Sequence, residues 1–235
     1  MKFSIKEIME RDLKIDWATY EAAKYACENW HYSKCLPVGK LVKVGVWEKG
    51  RFIGVVLFGR GANKNMLKPF GLNQDQGCEL VRVALKKHIT PVSRILSISL
   101  KMLKQSNKNL RMVVSYADSH QGHHGGIYQA GNWIYDNDVK LDGLIVNGKL
   151  MHRKSIYSKY GFNSVEKLKK IGINCKWATV KPKHRYLMPL DKHMRKKIMF
   201  LAKPYPKRAQ NIDSDVSSYQ DEKGSANLTC ALQLS

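Results

Sequence analysis

The sequence has no long apolar run, no paired-cysteine motif and few acidic residues. Because no apolar run approaches the roughly 20 residues that span a bilayer, no membrane segment is expected. The five cysteines are odd in number and show no CxxC spacing, which argues against a disulfide framework and favours a reduced, cytoplasmic setting. The first residues, MKFSIKEIMERD, are charged and unlike a signal peptide.

Basic residues dominate the charge. Forty-one Lys and Arg stand against nineteen Asp and Glu, a formal net charge of +22. The density is highest between residues 140 and 200, where the only acids are Asp142, Glu166 and Asp191. Such a density repels itself unless a polyanion neutralises it, which favours nucleic acid as the partner. The alternative is a basic surface that is simply solvated.

Length and apolar content predict one α/β domain. The chain has 235 residues, of which 43% are hydrophobic, enough for a sizeable core. From Lys203 onward the sequence is rich in Ser, Asp, Gln and Asn and loses all periodicity. Residues 1–202 are therefore predicted to be the folded domain and residues 203–235 a disordered tail.

The apolar periodicity predicts a mixed order of helices and strands. Helical spacing leads off between residues 5 and 30. Strands at 41–47 and 51–58 are expected to form a hairpin, and a third strand at 79–85 precedes a helix with Ser93 as its N-cap. The later predicted elements are a strand at 111–115, a helix at 127–130, a hairpin at 141–150, a lysine-rich helical segment ending near 172, a strand at 184–190 and a helix at 191–201 capped by Asp191.

The stretch from Ser115 to Tyr135, SYADSHQGHHGGIYQAGNWIY, is the most informative part of the chain. The apolar strand before it stops at Asp118, and a glycine-rich loop leads into a short helix. This order leaves Ser115 and Asp118 at the carboxyl end of a strand, where open α/β sheets usually bind their ligands.

Several collinear blocks carry a family resemblance. They are HYSKCLPVGKLV, VLFGRG, LKPFGL, CELVRVAL, TPVSRILS, VSYADSHQGHHGGIYQAGNWIY and HRKS. Over residues 31 to about 161 the chain resembles the Mom family of phage DNA-modification proteins, and its order of elements resembles the GNAT acetyltransferase fold. The resemblance implies an α/β fold with a central mixed sheet flanked by helices. It also implies a catalytic domain that converts adenine in double-stranded DNA to its N6-carbamoylmethyl form inside the bacterial host cell, hiding restriction sites.

The residues offer groups for that chemistry. The adenine amine is a weak nucleophile and must leave the base stack, so an acceptor near N6 is needed; Ser115, Asp118 and Asp142 are the candidates. Asp118 alternatively caps the following turn. Tyr128 matches a position where the GNAT pattern places a tyrosine that protonates the leaving group, although core packing explains it equally well.

Aromatic and basic residues are the candidate DNA contacts. Trp133 and Tyr32 lie beside predicted strand ends and are candidates for holding an extruded base, with core packing as the alternative for Trp133. Arg60, Arg153 and Lys154 are expected to contact backbone phosphates, which position a duplex without reading its sequence.

The donor site is less clearly marked. Acetyl-CoA enzymes cradle the pyrophosphate on a glycine-rich loop, but here residues 86–92 contain no glycine. Lys86, Lys87 and the helix start at Ser93 remain candidates for binding an anion, and so does Arg82, whose alternative is an ion pair. Arg82 and Glu79 lie three apart on a strand and are expected on opposite faces. An acetyl-CoA-like donor is therefore in doubt, and the donor is left open.

Two histidine groups raise the question of a metal. His120, His123 and His124 form HxxHH, but glycines interrupt the region and no paired carboxylate has the right spacing for zinc. The family resemblance implies iron, which His31 and Tyr32 are candidates to bind. A hydrogen-bonded loop histidine beside a packed tyrosine is the alternative.

Three other functions stay open at this point. A GNAT-type N-acyltransferase acting on another amine would require acetyl-CoA. A non-catalytic basic DNA-binding protein would depend on its lysines alone. An adenine methyltransferase is disfavoured, because the chain has neither a DPPY-type motif nor a GxGxxG after a first strand.

Overall fold

The computed structural model describes residues 12–61, 63–140, 143–178 and 181–208, apart from the side chains of residues 152, 154 and 155. The strands are β1 Leu13–Trp17, β2 Leu41–Glu48, β3 Arg51–Gly59, β4 Gly77–Leu85, β5 Met112–Asp118, β6 Ile134–Val139, β7 Gly143–Val146, β8 Lys149–His152, β9 Cys175–Ala178 and β10 Lys183–Pro189. The α-helices are α1 Tyr20–Trp30, α2 Val92–Ser106, α3 Gly126–Gln129, α4 Arg153–Tyr160, α5 Val165–Lys170 and α6 Lys192–Ile198. Short 3-10 turns lie at Lys68–Phe70, Gln74–Gln76, Ser119–Gln121 and Met199–Leu201.

Seven strands form the central sheet in the order β1-β2-β3-β4-β5-β10-β6. Every neighbouring pair is antiparallel except β4 and β5, which run parallel. Helices flank this mixed sheet, so the predicted α/β class with a central mixed sheet flanked by helices is confirmed. None of the helices within the described ranges is long and apolar enough to cross a membrane.

Strand β3 shows why both faces of the sheet are covered. Its run of apolar residues alternates between the faces, as side chains on a strand must. Val55 and Leu57 pack with Cys27 of α1, whereas Phe58 packs with Ile95 of α2 on the other face. A strand that is apolar on both sides is stable only when both sides are buried, which fixes β3 near the middle of the sheet.

The amino-terminal prediction was wrong for residues 13–17. Leu13 and Ile15 alternate with polar residues and pack against the core as β1, which pairs with β2. The helix begins only at Tyr20, where the Thr19 side chain accepts from the Ala22 amide at 3.2 Å. The period-two alternation of β1 lies directly before the helical spacing of α1, so the two patterns together were interpreted as one helical stretch.

One turn prediction and one cap prediction are confirmed, and a second cap prediction is wrong. Lys49 and Gly50 join β2 and β3 with positive φ angles of 51° and 72°, as a tight two-residue hairpin requires. Asp191 caps α6 by accepting from the Met194 amide at 2.7 Å. Ser93, by contrast, lies inside the first turn of α2, because the N-cap is Pro91 and no side chain caps that helix.

A second, three-stranded sheet has the order β8-β7-β9. Its first two strands form the predicted hairpin about Asn147 and Gly148. With α4 and α5 it encloses a separate apolar core of Leu144, Val146, Ile156, Leu168 and Cys175. We call residues 143–178 the insert, because they interrupt the central sheet between β6 and β10. Strands β6 and β9 were not predicted.

The chain after residue 202 continues along the domain. The Lys203 amide donates to the Tyr135 carbonyl at 2.9 Å, and the Tyr205 hydroxyl donates to the Trp133 carbonyl at 2.6 Å. The Pro206 carbonyl accepts from Gln129 Nε2 at 3.0 Å. The fold therefore extends to Pro206, beyond the predicted boundary. Disorder of residues 209–235 stays a prediction, since they lie outside the described residues.

Candidate active site

Strands β4 and β5 part in the middle of the central sheet. Their parallel pairing begins at Gly77 and Met112 and ends where Leu80 faces Ser115, although β4 runs on to Leu85 and β5 to Asp118. Beyond this last pair the facing backbone groups of the two strands are not bonded to each other. Unpaired backbone donors and acceptors at a strand end need partners, so the opening is suited to a ligand.

Ser115 and Tyr128 meet at the point of separation. Ser115 is fully buried and donates its hydroxyl proton to the Leu80 carbonyl at 2.9 Å. Its Oγ is therefore free to accept from the Tyr128 hydroxyl, which lies 2.8 Å away. Burial raises the pKa of Tyr128 to about 12, so the phenol stays protonated at neutral pH. The pair places a protonated phenol beside the opening.

The glycine-rich loop is what lets Tyr128 reach the sheet. Gly125 has a φ of +84°, and a Cβ at this position would collide with the ring of Tyr186. The Tyr186 hydroxyl donates to the His124 carbonyl at 2.6 Å and anchors the loop over the sheet. The Tyr128 ring then packs 5.1 Å from Trp133 and 5.0 Å from Tyr186. Tyr128 is therefore packed in the core and also lies at the opening.

Arg82 is a buried cation with an unused hydrogen-bonding edge. Only 9% of the residue is exposed, and within the described ranges its Nε and Nη2 atoms have no hydrogen-bond partner. The same Nε–Nη2 edge binds a carboxylate in two other arginines. Arg111 uses it on Asp191, with both distances 3.0 Å, and Arg185 uses it on Asp136. Nη1 donates to the Val81 carbonyl at 2.8 Å. Leaving the other edge of a buried guanidinium unbonded is costly, so Arg82 is suited to a ligand that accepts two hydrogen bonds, at a carboxylate or at one carbonyl oxygen.

Glu79 lies on the same face of β4 as Arg82, contrary to the prediction. The register with β3 slips between Leu80 and Arg82, which leaves Val81 as an extra residue. Arg82 is paired with Leu57 and Glu79 with Gly59, and directly paired residues project to the same side. A bulge of this kind reverses the expected alternation.

Glu79 and Asp118 supply two carboxyl groups with different surroundings. Burial raises the pKa of Glu79 to about 7, although the charges of Lys183 and Arg82 oppose the shift. Its carboxyl group can therefore either hold or accept a proton near neutral pH. Asp118 pairs with Lys183 Nζ at 3.2 Å and also accepts from the His120 amide at 3.1 Å. The alternative turn-capping role of Asp118 is thus observed alongside its position at the strand end.

The loop after α1 contributes His31 and Tyr32. The Ser33 amide donates to His31 Nδ1 at 3.1 Å, so this nitrogen is an acceptor and the ring proton sits on Nε2. Burial, with the charge of Arg82, lowers the pKa of His31 to about 3, so the ring is neutral. The Tyr32 ring lies 4.2 Å from His31 and 5.6 Å from His123, and part of it is exposed.

These residues do not form a preformed iron or zinc site. His31 Nδ1 is occupied by Ser33, and burial, together with the charge of Asp118, raises the pKa of the Tyr32 phenol. His123 contacts Tyr32, whereas His120 is exposed in the turn after β5. Across the ranges that the structure describes, no three His, Cys, Asp or Glu side chains cluster as metal ligands. The donor set therefore does not fit the metal that the resemblance implies.

The loop before α2 is already bound by a carboxylate. Glu48 accepts from the amides of Ile89 and Thr90, at 3.0 Å and 2.7 Å, and from the Thr90 hydroxyl at 2.6 Å. These amides belong to the stretch where the GNAT pattern predicts a pyrophosphate cradle. Because Glu48 occupies them with a negative charge, a phosphate there would have to displace it. This loop does not fit the usual acetyl-CoA arrangement.

The remaining candidate donor ligands lie after the end of β4 and in the first turn of α2. Lys86 Nζ lies 5.4 Å from the Trp30 ring, and Lys87 is exposed. Ser93 lines a groove of about 390 Å³ between α2 and the segment Met188–Leu190. The structure therefore brings only Arg82, of the four predicted donor residues, into the candidate site.

The predicted DNA contacts divide into exposed and buried residues. Arg60 is exposed after β3, and Arg153 lies with its guanidinium 5.7 Å from the Trp177 ring. Trp133 is only 1% exposed, so its prediction as a base contact was wrong. Its ring lies in the core cluster, 5.1 Å from the Tyr128 ring. Asp142 and the side chain of Lys154 lie outside the described residues.

Sequence reasoning missed Glu79 and Lys183 as site residues. Glu79 is an acid within an apolar strand, which is a signal in itself, because a buried carboxyl group requires a partner or a shifted pKa. Lys183 carried no such signal, since it is one of many lysines in its region.

The central sheet and the candidate site together define the class of protein. They describe an α/β protein whose two central parallel strands part over a Ser–Tyr pair and a buried arginine with an unused edge. The chain belongs to the Mom protein family, whose model matches residues 12–207. This confirms the resemblance predicted from the sequence.

Two known proteins illustrate the similarity. The chain is 24% identical over 210 residues to the methylcarbamoylase mom of Escherichia phage Mu, an alignment that covers 84% of this chain and 85% of the relative. Among solved structures, the spermidine/spermine N-acetyltransferase SpeG from Vibrio cholerae matches 80% of this chain and 98% of its own, with 8% identity and a TM-score of 0.46.

Proposed function

We propose that this chain is a DNA-modification transferase that converts adenine in double-stranded DNA to N6-carbamoylmethyl adenine. Acting in the cytoplasm of the bacterial host, it protects phage DNA against restriction. Membership of the Mom family and the similarity to a methylcarbamoylase support a transferase of this kind. The net charge of +22 supports DNA as the substrate.

The observation that carries the proposal is the unused edge of Arg82 beside the opened strands. The group to be transferred ends in a carboxamide, whose carbonyl oxygen accepts two hydrogen bonds. Arg82 Nε and Nη2 are placed to donate to that oxygen or to a carboxylate of the donor. Such an interaction would hold the two-carbon unit still while adenine approaches.

The transfer requires a proton acceptor and a proton donor. The adenine N6 forms a bond to the methylene carbon of the donor, whose bond to its leaving group breaks with the electron pair departing on that group. N6 must lose one proton, for which Asp118 and Glu79 are the candidate acceptors. Tyr128, held with its proton by Ser115, is the candidate donor to the leaving group.

Glu48 argues against a GNAT-type acyltransferase as the second candidate. An acetyl-CoA pyrophosphate would have to compete with its carboxylate for the amides of Ile89 and Thr90. A basic DNA-binding protein without catalysis remains the second candidate, favoured by the exposed basic insert. The two differ in whether adenine is altered.

Mass spectrometry of nucleosides from plasmid DNA tests the proposal. Cells that express the chain should contain deoxyadenosine heavier by an acetamido unit, and cells that express Ser115→Ala or Asp118→Ala should lose it. Ser99→Ala is the matched control, because Ser99 is a buried serine within α2 that donates to the Ile95 carbonyl of the same helix. Unmodified adenine with confirmed folded protein would contradict the enzyme and leave the DNA-binding protein. A methylated adenine would instead identify a methyltransferase.

A further inference from the structure

We propose that the insert, residues 143–178, is the DNA-docking module of the chain, with Trp177 and Arg153 at the centre of its contact surface. The choice of DNA as partner rests on the proposed function. The location of the contact rests on the observations that follow.

The insert is built as a separate unit attached at the candidate site. It has its own sheet and its own apolar core. The chain leaves the central sheet after Val139 and returns at Lys183, and these two residues are paired across β6 and β10. Lys183 in turn pairs with Asp118 at the end of β5. A ligand held by the insert is therefore anchored at the sheet edge that carries the candidate site.

The charge of the insert is almost entirely of one sign. It contains eight lysine and arginine residues, while Glu166 is its single acid. Helix α5 carries three exposed lysines, Lys167, Lys169 and Lys170. The insert core needs none of these charges, so they add self-repulsion that a polyanion would remove. Duplex DNA, with one phosphate charge per about 1.7 Å of its axis, is the complementary partner.

Large aromatic side chains lie exposed within this positive surface. Trp177 is 58% exposed and Tyr157 is 60% exposed. The Arg153 guanidinium lies 5.7 Å from the Trp177 ring, and Tyr157 follows Arg153 by one helical turn on the same face of α4. An aromatic ring beside a cation offers both a stacking surface for a base and a contact for a phosphate. Core packing does not explain such exposure.

Duplex binding by the purified full chain tests the assignment without any donor. Fluorescence anisotropy is measured against salt for a triple Lys→Gln variant of α5, at Lys167, Lys169 and Lys170. The control is a triple Lys→Gln variant of α6, which removes the same charge at three exposed positions, Lys192, Lys196 and Lys197. The α5 variant should bind at least about tenfold more weakly and lose about 0.9 of salt slope for each phosphate contact removed. Equal losses in the two variants would overturn the assignment.

The Trp177→Ala variant provides a second test of duplex binding, and it leaves the net charge unchanged. Its matched control is Trp17→Ala, which removes another exposed tryptophan from β1. Loss of the ring beside the Arg153 guanidinium should weaken duplex binding at least about fivefold for Trp177→Ala, whereas Trp177→Phe should restore most of it. The Trp17→Ala variant should bind as tightly as the parent. A Trp177→Ala variant with parental affinity, or stronger capture by anionic lipid vesicles than by duplex DNA, would overturn the proposal.

The two proposals fail in different ways. If plasmid adenine is unmodified but the α5 and Trp177 variants bind weakly, the chemistry fails and the docking module stands. If adenine is modified and these variants bind like the parent, the module fails and the chemistry stands.

Discussion

The two sheets of this molecule use polar side chains in opposite ways. In the central sheet the polar groups of the site are few, buried and individually placed, such as Ser115 at the last rung between β4 and β5. In the insert the charges are many and exposed, and the core is purely apolar. Buried polar groups are costly unless a specific partner satisfies them, whereas exposed charges cost little and act at a distance.

The difference suggests a division of labour. A buried guanidinium with an unbonded Nε–Nη2 edge, such as that of Arg82, demands a ligand of defined shape, because only matched acceptors offset its desolvation. An exposed cluster of lysines tolerates many geometries and suits a long, uniform polyanion. The central sheet is therefore suited to chemistry and the insert to docking.

The largest contrast is expected between two tryptophans. Trp133 is buried in the central core, so Trp133→Ala should lower the free energy of unfolding by about 3–5 kcal/mol. Trp177→Ala should change it by less than about 0.5 kcal/mol, because the ring is mostly exposed in the insert. Urea unfolding followed by circular dichroism measures both. Similar losses would mean that Trp177, like Trp133, is a structural residue, and that the central sheet and the insert do not differ in this respect.

Arg82 should separate activity from stability. Arg82→Met removes a buried charge whose one side-chain hydrogen bond goes to the Val81 carbonyl, so the free energy of unfolding should hold or rise while modification falls about 100-fold or more. Arg82→Lys should lose most activity too, since an ammonium lacks the planar fork. The control is Arg111→Met, which strips Asp191 of its partner and should lower stability by about 1–2 kcal/mol with activity retained. Full adenine modification by the Arg82→Met variant would contradict the proposal that Arg82 binds the donor.

Two glycines test how tightly each region is built. Both Gly125 and Gly148 have positive φ, of 84° and 79°, but only Gly125 would place a Cβ against a neighbouring ring, that of Tyr186. Gly125→Ala should therefore cost about 1–3 kcal/mol and displace Tyr128, whereas Gly148→Ala in the insert turn should cost about 1 kcal/mol or less. Thermal unfolding and the modification assay report both. Equal costs would show that backbone strain alone sets the penalty.

Much of the fold follows from local sequence rules. The hairpin at Lys49 and Gly50 is predictable because a short turn with positive φ has a recognisable composition. The strand ending at Asp118 is predictable because an apolar run stops abruptly at polar residues and glycines. That same rule located Ser115, since a strand end in an α/β sheet is where ligands are expected.

The remaining features depend on contacts between distant segments. The bulge at Val81 is set by pairing with β3, and it alone brings Glu79 to the face of Arg82. Trp133 is buried in a core cluster that also contains Val44, Ile95 and Tyr186, from three other elements of the fold. That the Nε–Nη2 edge of Arg82 is buried without an acceptor among the described residues is likewise a property of the assembled fold. Periodicity within one strand carries none of this information.

Glu79 and Glu48 should respond to pH with opposite signs. Burial raises the pKa of Glu79 to about 7, so its stabilising contribution is complete below its ordinary pKa near 4.5 and is lost as pH rises through 7. Glu79→Gln should therefore be more stable than the parent at pH 8, by of order 1–2 kcal/mol, and match it near pH 4.

Although burial opposes it, hydrogen bonds from Thr90 and Ile89 lower the pKa of Glu48, so its contribution is present at neutral pH and fades as pH falls below 4.5. Glu48→Gln should thus lose stability at pH 8, and that loss should shrink in acid. Unfolding free energies of the three proteins between pH 4 and 8 decide the matter, and a Glu79→Gln curve parallel to that of the parent would mean that Glu79 titrates as an ordinary exposed carboxylate.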